Sequence, residues 1–303
     1  MKRTCFLFFF FVTIMMAQSI VLSTLKQVCR QKIRPRALSS NSLLLSSAAN
    51  DFTEILFDLE LPEGRCVGVQ LNNNNQTTKV EEEDWSDPNH WVNTCLHPEE
   101  VKYILDATTP VKKSFLLGRL AMRASLSKHE LLQNDEPCLK DLHGRPTLPK
   151  GYVGSISHKG TIGVALSRKC SSSTFLTTVG VDIEQRAPKK RSIANKILTQ
   201  RERDNLGNLK RINISTEEEV MLRFSLKEAI YKAVHPVINQ YVGFQEAEVI
   251  PFENGTATVH WNLTNNNNKM DKLGIVTAHW KKIKHHFLTS ASFEQNEEEE
   301  EIH

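Results

Sequence analysis

The chain has 303 residues, 40% of them hydrophobic, with 38 Lys and Arg against 35 Asp and Glu. That is enough apolar material for one large core or two smaller ones, and a formal charge of +3 is too small to argue for nucleic acid as the main partner. Six scattered cysteines, with no C-x-x-C and no His at metal-site spacing, argue against both a disulfide scaffold and a zinc site.

The first fifty residues read as a targeting leader. "MKRTCFLFFFFVTIMMAQSIVL" has a basic start and an apolar run from Cys5 to Met16, short for a membrane span but suited to a signal-peptide core. "STLKQVCRQKIRPRALSSNSLLLSSAAN" then supplies Ser and Arg without a single acid, the composition of an organelle transit peptide. An address of this kind would lead to a plastid or mitochondrion, and scattered reduced thiols fit a cytosolic, stromal or matrix compartment better than an oxidising one. An ordinary signal peptide or membrane anchor is the simpler alternative. Sequons at Asn75, Asn213, Asn254 and Asn262 would matter only in the secretory pathway.

From Asp51 onward, strand-like and helix-like stretches alternate, which predicts an α/β or α+β protein. The runs Asn72–Asn75 and Asn265–Asn268 read as loop insertions. "HPEEVKYILDATTPVKKSFLLGRLAMRASLSKHELLQ" is helical in character: Leu116, Leu117, Leu120 and Ala124 form an apolar stripe, and Arg119 and Arg123 stack four apart. "GSISHKG" reads as a Gly-flanked turn carrying Ser155, Ser157 and His158, ahead of a strand from Ile162 to Leu166. "TFLTTVGVDIEQ" predicts a strand ending near Glu184. A helix is expected near Ser192, and Thr199 with Glu202 forms a capping-box pattern for a further turn or helix. "STEEEVMLRFSLKEAIYKAVHP" opens with two overlapping boxes, Ser215/Glu218 and Thr216/Glu219, and is expected to stop before Pro236. "ATVHWN" and "LGIVTAHWKKIKHHFLTSASF" alternate as paired strands do. Helix followed by strands occurs on each side of about residue 178. The divisions expected are therefore 1–50 leader, 51–178 and 179–294 as two halves, and 295–303 as an acidic tail ending in Glu297–Glu301.

In "GVDIE" the two-residue period puts Asp182 and Glu184 on one strand face. Adjacent carboxylates repel unless a cation intervenes, and a hard divalent ion such as magnesium takes carboxylates, water and substrate phosphates. Glu228 offers a third carboxylate from the helix beginning near Thr216. Lys227 and Lys232 add ammonium groups suited to phosphate oxygens. Each piece alone has a bland reading. A D-x-E strand end is usually solvated, a Glu–Lys pair at i,i+4 is mostly surface support, His158 alone is most often structural, and Arg119 and Arg123 serve equally to solvate a helix face.

Order and spacing change that balance. The set "GSISH", "GVDIE", "FSLKEAIYKA", with Asp182 and Lys227 45 positions apart, resembles the 4′-phosphopantetheinyl transferases of the larger, surfactin-synthetase type. Within that family it looks most like the enterobactin-synthase branch, where Phe–Ser rather than Trp–Ser precedes the Lys–Glu pair. The resemblance covers Leu117 to Ala233, extends loosely into the C-terminal strands, and is vague over residues 51–100. It implies two related halves forming a pseudo-dimer with coenzyme A between them, and transfer of the phosphopantetheine arm to a serine of an apo acyl carrier protein, or of polyketide or nonribosomal-peptide carrier domains. It further implies that Asp182, Glu184 and Glu228 hold magnesium, with Glu228 also the base. Lys232 would neutralise or protonate the leaving phosphate, and Lys227 would grip the pyrophosphate. Ser157 and His158 would contact coenzyme A phosphates, as would Arg145 of "HGRP", standing where the family has Lys. Arg119 and Arg123 would face the 3′-phosphate. A monomer outside the membrane is expected, since the two halves pair within one chain. Three rival readings are another magnesium enzyme acting on phosphate esters, a noncatalytic coenzyme A or carrier-protein binding module, and a membrane-anchored scaffold.

Overall fold

The computed structural model describes residues 52–72, 85–87, 90–127, 136–170, 175–186, 193–262 and 274–296. The leader, the sequon at Asn75, the Ser171–Ser173 loop and the acidic run from Glu297 lie outside the described residues.

The first half is an antiparallel sheet covered by one long helix. Strands β1 (Thr53–Leu61), β2 (Gly64–Leu71), β3 (Tyr152–Lys159) and β4 (Ile162–Lys169) run in the order β1-β2-β4-β3. The segment expected to be helical from His97 onward divides into α2 (Pro98–Ile104), preceded by the short α1 (Val92–Cys95), and α3 (Thr109–Ser127). Pro110 lies in the first turn of α3, where its missing N–H costs no intrahelical bond. His97 and Glu100 form a capping box on α2, the imidazole accepting from Glu99 N and Glu100 accepting from His97 N. Every residue of α3 from Phe115 to Leu126 is buried. This is not the half-exposed helix its apolar stripe predicted, because the sheet covers one side and the 136–140 segment another. Leu116, Leu117, Leu120 and Ala121 join Val67, Val69 and Ala165 in one core.

"GSISHKG" is strand rather than turn: β3 pairs with β4 from Tyr152↔Lys169 to Lys159↔Ile162, and the turn falls at Gly160. Ladder pairing prevails over the local breaker signal of the flanking glycines.

The second half repeats the plan. Strands β5 (Phe175–Gln185), β6 (Ala247–Pro251), β7 (Thr256–Trp261), β8 (Ile275–Ile283) and β9 (His286–Asn296) form an antiparallel sheet ordered β5-β9-β8-β7-β6. The division expected between 178 and 179 falls inside β5. Two short helices, α4 (Ala194–Ile197) and α5 (Gln200–Asp204), precede the long α6 (Thr216–Ile238). Thr199/Glu202 and Ser215/Glu218 both form the expected capping boxes. The alternative Thr216/Glu219 box does not, because Glu219 instead pairs with Arg223 and accepts from Gly207 N. The helix runs through Pro236 and ends at Asn239, whose left-handed backbone caps it. Pro236 only removes the bond that would have reached the Lys232 carbonyl, a loss the last turn tolerates.

Close approach of helix to sheet is secured in the same way in both halves. A Cβ on Gly163 of β4 would sit 2.5 Å from the Leu117 carbonyl carbon of α3, and one on Gly180 of β5 would sit 1.9 Å from the Ala229 oxygen of α6. Neither position has room for a side chain. The two sheets meet through Cys66, Ile162, Val164 and Leu166 of the first and Val179, Val181, Ile183 and Leu288 of the second, all buried. All strand pairs are antiparallel, so the architecture is α+β: two helix-on-sheet layers joined face to face.

The four described cysteines, Cys66, Cys95, Cys138 and Cys170, are free thiols. Among the described residues no helix is long and apolar enough to cross a membrane.

Candidate active site

Strand β5 and helix α6 position the carboxylates. Asp182 is 5% exposed and fully engaged. Its Oδ1 accepts from Ser157 Oγ at 2.7 Å and Lys232 Nζ at 2.9 Å, and its Oδ2 from Ser225 Oγ at 2.8 Å. Lys232 also donates to the Val181 carbonyl at 3.0 Å. Burying a carboxylate this deeply is costly unless it is paired and hydrogen-bonded, as it is here. Ser157 and Ser155 therefore join the halves: Ser157 donates to Asp182, while Ser155 Oγ accepts from Val181 N at 3.1 Å. The serine of "FSLKE", Ser225, orients the same carboxylate, a role its type alone did not announce.

Glu184 is buried and ion-paired with Lys159 at 2.6 Å. Burial raises its pKa, as does the Asp182 charge, with Lys159 opposing. Glu228 lies half-buried on α6, its pKa raised by burial and by Asp182 and Glu184, and opposed by Lys232. These three acids thus feel one another's charge. Their oxygen donor set fits a hard divalent cation chemically. As the side chains stand, however, ammonium groups occupy two of them, and among the described residues no three His, Cys, Asp or Glu side chains are gathered closely enough to hold a metal ion.

Beside this cluster a cavity of about 480 Å³ opens between the halves, walled by α3 and β3 of the first and by β5 and α6 of the second. Arg119, Lys140, Arg145, His158, Lys232 and His235 give it a basic lining, and among the described residues Asp141 is the one acid that borders it. Asp141 organises the "HGRP" turn, accepting from His143 N, Arg145 N and Arg145 Nε at 2.6–2.9 Å. His158 stands at the end of β3, on the face opposite Ser157. Loss of water around the ring, then Lys232 and Lys140, lowers its pKa, so the imidazole is neutral at neutral pH. Arg119 stacks on Phe115 with its guanidinium carbon 4.1 Å from the ring centroid, and bonds the Cys138 carbonyl through Nε. Its second terminal nitrogen is buried without a hydrogen-bond partner beside the cavity.

Two residues expected against the substrate do not line this cavity. Arg123 is buried against Glu100 at 2.8 Å and does not line the cavity. Glu100 also accepts from Cys138 N at 2.7 Å, so this pair ties α2, α3 and the 138 segment together. Lys227 is turned away from the cavity. Its Nζ donates to Ile197 O at 2.8 Å, Glu202 Oε2 at 2.6 Å and Phe244 O at 2.7 Å, using all three of its protons. Burial lowers its pKa, and Glu202 counters that. Adjacent helix positions diverge by about 100°, and Lys227 and Glu228 both border a second, smaller cavity with Tyr231, Tyr241 and Phe244. Lys140, Lys159 and His235 were missed. Lys159 continues the Ser155/Ser157 face of β3 and His235 lies one turn beyond Tyr231 on α6, so strand and helix period could have found both, whereas Lys140 lies in no regular element.

A model of the 4′-phosphopantetheinyl transferase superfamily matches residues 178–282, and one of the 4′-phosphopantetheinyl transferase N-terminal domain matches residues 99–167. The chain is 37% identical over 91 residues to a holo-(acyl-carrier-protein) synthase of Limosilactobacillus fermentum, covering 28% of this chain and 75% of that protein. It is 29% identical over 157 residues to the 4′-phosphopantetheinyl transferase Svp of Streptomyces mobaraensis, covering 52% of this chain and 61% of Svp. With the 4′-phosphopantetheinyl transferase Npt of Nocardia iowensis it shares 28% over 163 residues, covering 53% of this chain and 69% of Npt. The matched segment thus spans less than two thirds of Svp. This chain belongs to the 4′-phosphopantetheinyl transferase superfamily.

Proposed function

We propose that the protein transfers the 4′-phosphopantetheine group of coenzyme A to a serine hydroxyl of an acyl or peptidyl carrier protein, in a magnesium-dependent reaction. The observation that carries this reading is the basic cavity ending at Lys232 and His158, beside three carboxylates contributed by β5 and α6. Its volume lies within the usual range for small-ligand sites. Its cations suit a ligand bearing a pyrophosphate and a further phosphate.

Group transfer of this kind depends on positioning and charge neutralisation more than on a covalent enzyme intermediate. Arg119, Lys140 and Arg145 would bind the nucleotide's phosphates. His158, neutral, would hydrogen-bond a phosphate oxygen. Glu228, whose raised pKa suits it to accept a proton, would take the proton of the incoming serine hydroxyl, directly or through water. Serine oxygen then bonds to the phosphorus that bears the pantetheine arm. The phosphorus–oxygen bond to the nucleotide breaks, and adenosine 3′,5′-bisphosphate leaves with its new charge facing Lys232. A magnesium ion held by Asp182, Glu184 and Glu228 would add positive charge at the pyrophosphate.

The deciding experiment incubates the full chain with apo acyl carrier protein, coenzyme A and magnesium, and reads the intact mass of the carrier. A gain of one phosphopantetheinyl group, lost on chelation and in Glu228→Gln, is expected. Tight coenzyme A binding without transfer to fatty-acid, polyketide or peptide-synthetase carriers would instead favour a binding module. Release of inorganic phosphate without a carrier would favour a phosphohydrolase. The leader of residues 1–50 is read as an organelle address, to be checked by the location of a fluorescent fusion.

A further inference from the structure

The carboxylates of β5 already have cationic partners. Asp182 is matched by Lys232 of α6 at 2.9 Å, and Glu184 by Lys159 of β3 at 2.6 Å. The second pair spans the two halves. Glu184 is almost entirely withdrawn from water, its side chain 12% exposed, whereas Lys159 is 39% exposed. Lys232 faces the cavity and is accounted for by the transfer chemistry. Lys159 does not line the cavity, yet its ammonium sits on an expected metal ligand.

We propose that Lys159 is a resident counter-cation of the metal site, which keeps free divalent metal off Glu184 and gives way when metal arrives together with the pyrophosphate of coenzyme A. The proposal rests on the function proposed above. A bare magnesium ion reaching Glu184 must expel the ammonium and shed water it holds reluctantly. A metal–pyrophosphate unit brings its own oxygens, which compensate the metal and supply the displaced ammonium with a new anionic partner. Metal and coenzyme A should then bind cooperatively. By linkage, each tightens the other by the same factor. Lys159 is a positioning residue here: it acts through Glu184 and sets the order of binding.

Calorimetric titration of the full chain with magnesium alone, with magnesium in the presence of coenzyme A, and with coenzyme A with and without magnesium tests this. In the unaltered protein, coenzyme A should tighten magnesium by about tenfold or more. Lys159→Met should bind magnesium alone about tenfold more tightly than the unaltered protein, and its coupling factor should shrink. Lys159→Arg keeps the charge and should stay within about threefold of the unaltered protein. A Lys159→Met protein, folded by circular dichroism, whose affinity for magnesium alone stays within about twofold would overturn the proposal. So would a Lys159→Arg protein that behaves like Lys159→Met. Failure of coenzyme A to bind the unaltered protein would overturn the parent reading, while the magnesium-alone comparison would still decide the role of Lys159.

Discussion

Lys227→Met separates scaffold from site. The ammonium is enclosed, with Lys227 and Glu202 side chains 2% and 1% exposed. Replacing it leaves the Glu202 carboxylate with only its backbone donors, Thr199 N and Val249 N, and strips the Ile197 and Phe244 carbonyls of a partner. Removing one member of a buried ion pair costs about 3–5 kcal/mol. At about 2–4 °C per kcal/mol for a fold of this size, thermal scans should show a fall in Tm of about 6–20 °C. Coenzyme A affinity, measured below the transition, should change by less than about threefold. A second variant, Lys227→Met with Glu202→Leu, should recover part of the loss, since an apolar pair is often no worse than a buried ionic one. Recovery will be incomplete, because Glu202 also accepts the two backbone donors. An unchanged Tm with coenzyme A binding weakened about tenfold or more would refute this reasoning and return Lys227 to the substrate.

Other outcomes follow from the same geometry. Glu228→Gln should lower kcat by about 10²–10⁴ with coenzyme A affinity retained; a normal turnover number would remove Glu228 from the base role. The base role proposed for Glu228 requires its ionised form, and burial raises its pKa above the ordinary value, so the acid limb of kcat/KM should lie above about pH 4.3. In Lys232→Met that limb should move further up, as a favourable charge is lost, and movement downward would contradict the assignment. Arg145→Ala should weaken coenzyme A by about tenfold or more, the loss expected for a charged hydrogen bond. Arg123→Ala should instead lower Tm with coenzyme A affinity kept, and a swap of these two phenotypes in binding and thermal assays would reverse their roles. Gly180→Ala should cost about 1–3 kcal/mol in denaturant unfolding, since its Cβ would meet the Ala229 oxygen, and a neutral effect would mean that α6 can lift from β5.

What could be read from the chain was what local periodicity governs. "GVDIE" had to place Asp182 and Glu184 on one face, and "FSLKEAIYKA" had to align Glu228 with Lys232, so these elements could be located without a fold. The capping boxes at Thr199 and Ser215 were equally local. What could not be read depends on distant partners. Arg123 and Lys227 look like any helix charges until Glu100 and Glu202 arrive from 23 and 25 positions away. Lys159 meets Glu184 because the two sheets stack face to face, while the 136–140 segment and α6 bring Lys140 and His235 to the cavity. Pro236 misled for a different reason: a proline in the last turn costs one hydrogen bond, too little to outweigh a helix anchored on β5.

Between Phe224 and His235, the helix α6 leaves only Phe224, Glu228, Tyr231, Lys232 and His235 partly uncovered. Their spacing makes one straight edge, rising about 5.4 Å per turn. For the transfer proposed above, that edge would serve as a ruler against which a long, multiply charged substrate is measured, with Glu228 at one mark and Lys232 one turn on. A ruler tolerates changes of material but not of phase. One residue inserted after Ala229 would turn everything beyond it by about 100°, leaving Glu228 in place while carrying Lys232 and His235 off the cavity. For this stretch the chain's length, and not only its composition, is part of the active site.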